Sequence, residues 1–189
     1  EHWTRDQIRE EVKTVTRKAK SIHTPPEVET LLPSAPGKPG TYKVILAKAG
    51  PYAGKLALDL GFSNYVSLSS LHLKVDALKE GDIVLSSLKA IGHAEDLPAL
   101  SLSNVFSYEA YVYRVLDGDT IEAVVDLGFG FTTTQVLRLR GIDSPELVSH
   151  DGLVAKEALE KMLAHSSRVL IRSVKSDKYD RYLVDVYGI

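Results

Sequence analysis

The sequence predicts a mainly β chain, built as small β-barrels with a few α-helices attached (an α+β arrangement). Three observations carry that expectation. Apolar and polar residues alternate along Tyr108 to Val115, Ile121 to Leu127 and Val136 to Leu139, which is the period of a strand with one buried face. Short apolar runs between Tyr42 and Val105 are cut by Gly50-Pro51, Gly61, Gly81-Asp82 and Pro98. Helical spacing of apolar residues is confined to two stretches, one near the start and one after Asp151.

The first helix is expected within residues 1–23. Thr4 is a good N-cap, Gln7 completes a capping box, and Trp3 with Ile8 has staple spacing. Ile8, Val12, Val15 and Ala19 share a face, while Lys13, Arg17, Lys18 and Lys20 crowd the far half. Those cations suit a helix C-terminus and a solvated face; contact with nucleic acid is the sharper alternative. Residues 24–40 hold five of the eight prolines and read as an extended linker or surface strap.

Residues 41–105 predict five strands: Tyr42 to Lys48, Lys55 to Leu60, Tyr65 to Val75, Ile83 to Leu88 and Leu100 to Val105. Five strands without a clear helix suggest a small barrel. The segment also echoes the one that follows. Leu58-Asp59-Leu60-Gly61-Phe62 resembles Val125-Asp126-Leu127-Gly128-Phe129, and Leu71-His72-Leu73-Lys74 resembles Leu137-Arg138-Leu139-Arg140. Both a duplicated barrel and shared β patterning fit those echoes. A copy would be catalytically empty, with Gly50-Pro51-Tyr52-Ala53 standing where the second half has Asp117-Gly118-Asp119-Thr120.

In residues 106–189, Asp117-Gly118 between two alternating runs is a hairpin signal. A plain turn explains it, but does not ask for Asp119. Arg138 and Arg140 interleave with Leu137 and Leu139, so arginines and leucines take opposite faces of a strand. Gly141 and Pro145 end that strand, leaving Asp143 and Glu146 on the loop beyond it. A helix follows from Asp151, read as its cap, to about His165. Val154, Ala155, Ala158, Leu159, Met162 and Leu163 form its apolar face. Arg168 to Val174 and Tyr182 to Val186 are the closing strands, joined through Lys175 to Arg181. Three carboxylates (Asp119, Asp143, Glu146) and two arginines (Arg138, Arg181) could hold a hard cation, orient a water and grip a phosphate.

Composition bounds the function. The net charge is −2, and residues 107–189 carry 10 Lys and Arg against 13 Asp and Glu. That argues against a protein that coats nucleic acid statically. Cysteine is absent, so disulfides and thiolate metal sites are excluded. The six histidines are scattered without metal-ligand spacing, which argues against a zinc or histidine-based nuclease. No apolar run reaches the length of a membrane span, and no leader is visible at Glu1, so the compartment stays unknown. Oligomeric state is equally unreadable. Tyr108, Tyr111 and Tyr113 read as packing residues rather than stacking platforms for bases.

The order D-G-D-T, then R-L-R-G-I-D-S-P-E, then D-K-Y-x-R, with a helix between the last two, resembles the staphylococcal nuclease (thermonuclease) family over residues 108–189. The resemblance implies an OB-type barrel and a Ca²⁺-dependent endonuclease acting on DNA and RNA with little sequence choice. By that resemblance Asp119, Asp143 and the Ser144 carbonyl are the metal ligands, Ser144 standing where the family often has Thr. Glu146 is implied as the group that activates water. Arg138 and Arg181 are implied as phosphate-binding arginines, and Lys178 and Tyr179 as substrate contacts. Asp180 departs from the family's usual Gly and stands next to Arg181. The family also continues past the last strand with further helices, so the resemblance implies a domain cut short at Ile189. A non-catalytic nucleic-acid or protein scaffold, like the tandem nuclease-like repeats of the Tudor-SN type, is the alternative.

Overall fold

A computed structural model of the chain describes residues 36–71, 74–75, 78–86, 90–93, 105–164, 166–176 and 182–188. The helix expected at Thr4, most of the proline-rich stretch, and Lys178, Tyr179, Asp180 and Arg181 lie outside the described residues.

Six strands form the first sheet: β1 (Thr41–Leu46), β2 (Leu56–Gly61), β3 (Asn64–Ser67), β4 (Lys74–Val75), β5 (Ile83–Ser86) and β6 (Ala90–His93). Their order is β3-β2-β1-β5-β6-β4, all antiparallel except the parallel pair β4 and β6. Two expectations need correction. The strand expected from Tyr65 to Val75 is broken by a 3₁₀ turn at Leu68–Ser70, where the Leu71 N–H turns back to the Leu68 carbonyl at 3.2 Å and the Ser67 and Ser69 hydroxyls bond to each other at 2.8 Å. The sheet also has an unforeseen strand, β6, at Ala90–His93.

The second half is a closed five-stranded barrel of OB-like kind. Its strands are β7 (Ser107–Asp117), β8 (Thr120–Gly128), β9 (Phe131–Leu139), β10 (Arg168–Ser176) and β11 (Tyr182–Gly188), ordered β10-β11-β9-β8-β7. All pairs are antiparallel except β9 with β11, and β10 closes on β7. The strand period accounts for the interior: Ala110, Val112, Ile121, Ala123, Val125, Leu137, Leu139, Val169, Ile171, Val184 and Val186 are all buried. Burying each of the branched side chains among them contributes about 1.5–3 kcal/mol.

Helix α1 (His150–Leu163) crosses between β9 and β10 and packs against β7. Asp151 does not cap it. Ser149 does, its Oγ accepting the Gly152 N–H at 3.0 Å, and Asp151 sits in the first turn. A hydroxyl one residue before the helix competes better for that amide than a carboxylate already inside it. Ala155, Leu159 and Leu163 bury the apolar face. Among the described residues no helix is long and apolar enough to cross a membrane.

The two sheets share one apolar core. Their junction is reciprocal. The buried Tyr42 hydroxyl of β1 donates to the Leu127 carbonyl at 2.9 Å, and the buried Tyr108 hydroxyl of β7 donates to the Leu60 carbonyl at 2.9 Å. Burial, and then the nearby Asp126, pushes the Tyr42 phenol up to about 12; burial and Asp59 push Tyr108 further up. Both therefore remain donors at neutral pH. Tyr42 meets Phe129 with ring centres 5.3 Å apart, and Tyr108 meets Phe62 at 5.2 Å.

Candidate functional site

The β7–β8 hairpin turns at Gly118 and Asp119, one residue later than Asp117-Gly118 suggests. Neither turn residue has positive φ, so this is not the left-handed turn that an Asp-Gly pair usually signals. Glycine is required at 118 for a different reason. A Cβ there would stand 2.6 Å from the Ala155 Cβ and 2.8 Å from the Ser144 Cβ. The bare backbone lets helix α1 and the 141–146 loop close over the turn.

Asp119 is buried, 2% exposed. Thr120 Oγ1 donates to its Oδ1 at 2.8 Å, and the Ser144 N–H donates to its Oδ2 at 3.2 Å. Its own carbonyl accepts the Leu139 N–H at 2.7 Å, which ties the turn to the end of β9. Asp117 Oδ1 accepts the Asp119 N–H at 3.0 Å. Burial, followed by the hydrogen bond with Asp117, pushes the Asp119 carboxyl up to about 6, against lowering by Thr120, the Ser144 amide and Arg138. Asp117 moves the other way. Burial raises it, but hydrogen bonds from Asp119 and Thr120, with the Arg138 charge, bring it below the ordinary carboxylate value.

Arg138 lies on the face of β9 opposite the buried Leu137 and Leu139, as the alternation predicts. Its Nη2 is 2.8 Å from Asp119 Oδ2 and donates to Asp143 Oδ1 at 2.7 Å. One guanidinium nitrogen thus joins a buried carboxylate to an exposed one, the Asp143 side chain being 94% exposed. Two carboxylates within reach of one cationic group offer oxygen donors to a hard cation. Among the described residues no three His, Cys, Asp or Glu side chains converge.

Glu146 is on the same loop and exposed. Its side chain makes no hydrogen bond or ion pair with the described residues, while its carbonyl accepts from the Ser149 N–H at 2.9 Å and Oγ at 2.7 Å. A Cβ at Gly152 would stand 2.1 Å from that carbonyl oxygen, so the first turn of α1 presses directly on the Glu146 backbone. Ser144 meets Asp119 through its N–H; no contact of its carbonyl bears on the ligand role expected for it. The structure thus brings Asp119, Asp143, Arg138 and Ser144 together and places Glu146 beside them on one loop. Lys178, Tyr179 and Arg181 lie outside the described residues.

Sequence reasoning misses three residues at this end of the barrel. Asp117 is legible as the first acid of D-G-D-T, but a plain turn accounts for it without a further role. Arg140 and Asp185 form a forked pair, with Arg140 Nε donating to Asp185 Oδ1 at 3.1 Å and Nη2 donating to Oδ2. The Asp185 side chain is fully buried. Its signal is an acid inside the apolar run Leu183 to Val186, a position that needs a partner.

The chain matches no model of a known family, and no curated protein matches it either.

Proposed function

We propose that the chain is a Ca²⁺-dependent nuclease that hydrolyses phosphodiester bonds of DNA, RNA or both. The observation that carries this reading is the Arg138 guanidinium shared between Asp119 and Asp143. It supports a site where acidic oxygens and a phosphate-gripping arginine meet on one rigid strand end. Asp119 and Asp143 are the carboxylates that would hold Ca²⁺, with the Ser144 backbone beside them. Bound there, the ion supplies Lewis-acid charge for a phosphoryl oxygen.

The chain's own groups do the rest. Glu146, exposed on the loop and unpartnered among the described residues, takes a proton from the attacking water. The water oxygen bonds to phosphorus, and the P–O bond to the 5′ oxygen breaks; that oxygen takes a proton from solvent and leaves as a 5′-hydroxyl, with the phosphate kept on the 3′ side. Arg138, and Arg181 from the D-K-Y-x-R stretch, neutralise the charge gathered on the pentacoordinate phosphorus. Lys178 and Tyr179 contact the substrate beside them.

The first sheet, in the same reading, is a degenerate OB-type copy of the barrel. If β3 and β4 are two pieces of one strand, every pairing in the first sheet has its counterpart in the second, including the single parallel pair. The reciprocal tyrosines support this, as do Thr41 and Ser107, which precede them and each bury a hydroxyl without a hydrogen-bond partner among the described residues. The copy carries no acid at Gly50 to Ala53 and holds no catalytic residue.

Incubating the chain with single-stranded DNA and RNA, with Ca²⁺ or with a chelator, tests the activity. Cleavage should require Ca²⁺ and be lost in Glu146→Ala and Arg138→Ala. Tight binding without cleavage would favour a scaffold, and cleavage indifferent to both substitutions would sink the assignment.

A further inference from the structure

The turn between β2 and β3 is strained. Phe62 has φ +50° and Ser63 has φ +61°, and neither is glycine. The matching turn between β8 and β9 has Phe129 at φ +54°, followed by a glycine, Gly130, at φ +79°. A left-handed backbone held by a side chain where glycine would serve calls for a contact that the side chain makes.

Both side chains make one, and to the same residue. The Phe62 ring is buried and stands edge-on to Tyr182, with ring centres 4.6 Å apart. The Ser63 Oγ lies 3.3 Å from the Tyr182 hydroxyl. Tyr182 opens β11. It pairs with Leu137, and the next pair in the register is Leu183 with Arg138. Two residues further on, the Arg140 N–H donates to the Val184 carbonyl at 2.9 Å. The first sheet therefore grips the start of the strand that flanks the Arg138 segment on the side away from β8. The reverse contact of Phe129 with Tyr42 reaches only the β8–β9 turn, at the other end of the hairpin from Asp119 and Arg138.

We infer that Phe62 and Ser63 of the first sheet are positioning residues for the site on the second, acting through Tyr182 on β11, one of the two strands that flank Arg138. This rests on the nuclease reading for its consequence in activity, though not for the contact itself. The catalytically empty sheet thereby acquires a role in the site. Its strained turn is kept because the hydroxyl and the ring hold Tyr182 from outside the barrel.

A purely structural turn predicts a different outcome for one substitution. Ser63→Gly removes the hydroxyl but relaxes the positive φ, so a turn that only packs should gain stability with no change at the site. The test compares Ser63→Gly, Tyr182→Phe and the double variant in the full chain, by thermal melting, amide hydrogen exchange, and Ca²⁺-dependent cleavage of a single-stranded oligodeoxynucleotide. The expected result is a melting temperature equal to or above the parent for Ser63→Gly. Exchange at the Arg140 amide should be about threefold faster or more, and kcat lower by a similar factor, with the double variant no worse than the poorer single. Unchanged exchange and unchanged cleavage in both single variants would overturn the inference. If the parent itself does not cleave, the nuclease reading falls, and the exchange data alone still decide whether the turn positions β9.

Discussion

Arg138 Nη2 stands 2.8 Å from Asp119 Oδ2, a carboxylate oxygen on a residue only 2% exposed. The same nitrogen reaches Asp143 at 2.7 Å. The arginine supplies the positive charge between two acids that would otherwise repel, and on the proposed reading a cation and the arginine compete for those oxygens.

That competition yields an uncommon prediction for Arg138→Ala. Cleavage should fall by about 10²–10³-fold, the loss that follows removal of one preorganised donor from an oxyanion site. Ca²⁺ affinity, measured by calorimetry on the same variant, should hold or improve, because a competitor has been removed. Weakened Ca²⁺ binding would show that Arg138 orders the acids rather than competes for them. Arg138→Lys should recover little of the cleavage, since an ammonium lacks the planar fork.

The raised Asp119 carboxyl gives a pH dependence whose sign follows from burial. Its folded value of about 6 lies above the ordinary 3.8, so by itself this group stabilises the fold below pH 3.8 and that stability is lost as pH rises through about 6. Ca²⁺ needs the ionised form. Its affinity should therefore fall about tenfold per pH unit below 6 and level off above it, with about half a proton released on binding at pH 6. Asp119→Asn should melt at or above the parent temperature at pH 7 without Ca²⁺, and lose the rise that Ca²⁺ gives the parent. A calcium response that survives in Asp119→Asn would remove Asp119 from the metal site.

Gly118 makes the steric prediction. Adding a methyl group forces it against Ala155 and Ser144 at under 3 Å, and both belong to elements fixed elsewhere. Gly118→Ala should cost about 1–3 kcal/mol, in the range of core overpacking, read by urea unfolding with an unchanged m-value. Pairing it with Ala155→Gly should return part of that loss. A neutral Gly118→Ala would mean that the loop and helix yield without cost.

Much of this architecture is legible in the sequence because strand periodicity is local. Leu137, Arg138 and Leu139 announce their faces by alternation alone, and the structure places them accordingly. The helix cap is not legible, because Ser149 and Asp151 are both good caps, and the choice falls to where the helix starts, at His150, which puts Asp151 inside the first turn. Gly118 reads as a turn residue, yet what demands glycine there lies 26 and 37 residues away along the chain. The tyrosine exchange between Tyr42 and Leu127, and between Tyr108 and Leu60, spans 85 and 48 residues. Echoed motifs hint that the halves are alike; nothing in the sequence says that they bond to each other.

The Arg140–Asp185 fork stands just past the end of β9, two residues after Arg138, and its carboxylate is fully buried. Burying a charge is expensive, and an apolar pair of similar size often serves stability as well or better. Arg140→Ala should therefore destabilise by about 3–5 kcal/mol, because it leaves the buried Asp185 without its fork. Arg140→Met with Asp185→Leu should recover most of that in chemical denaturation. If the fork exists to fix the end of β9, the double variant should remain folded yet cleave more slowly, with the loss in kcat rather than KM. A double variant as stable and as active as the parent would make the fork a replaceable piece of packing, and would leave the Asp119 turn, through its carbonyl bond to the Leu139 amide, as the main anchor of Arg138.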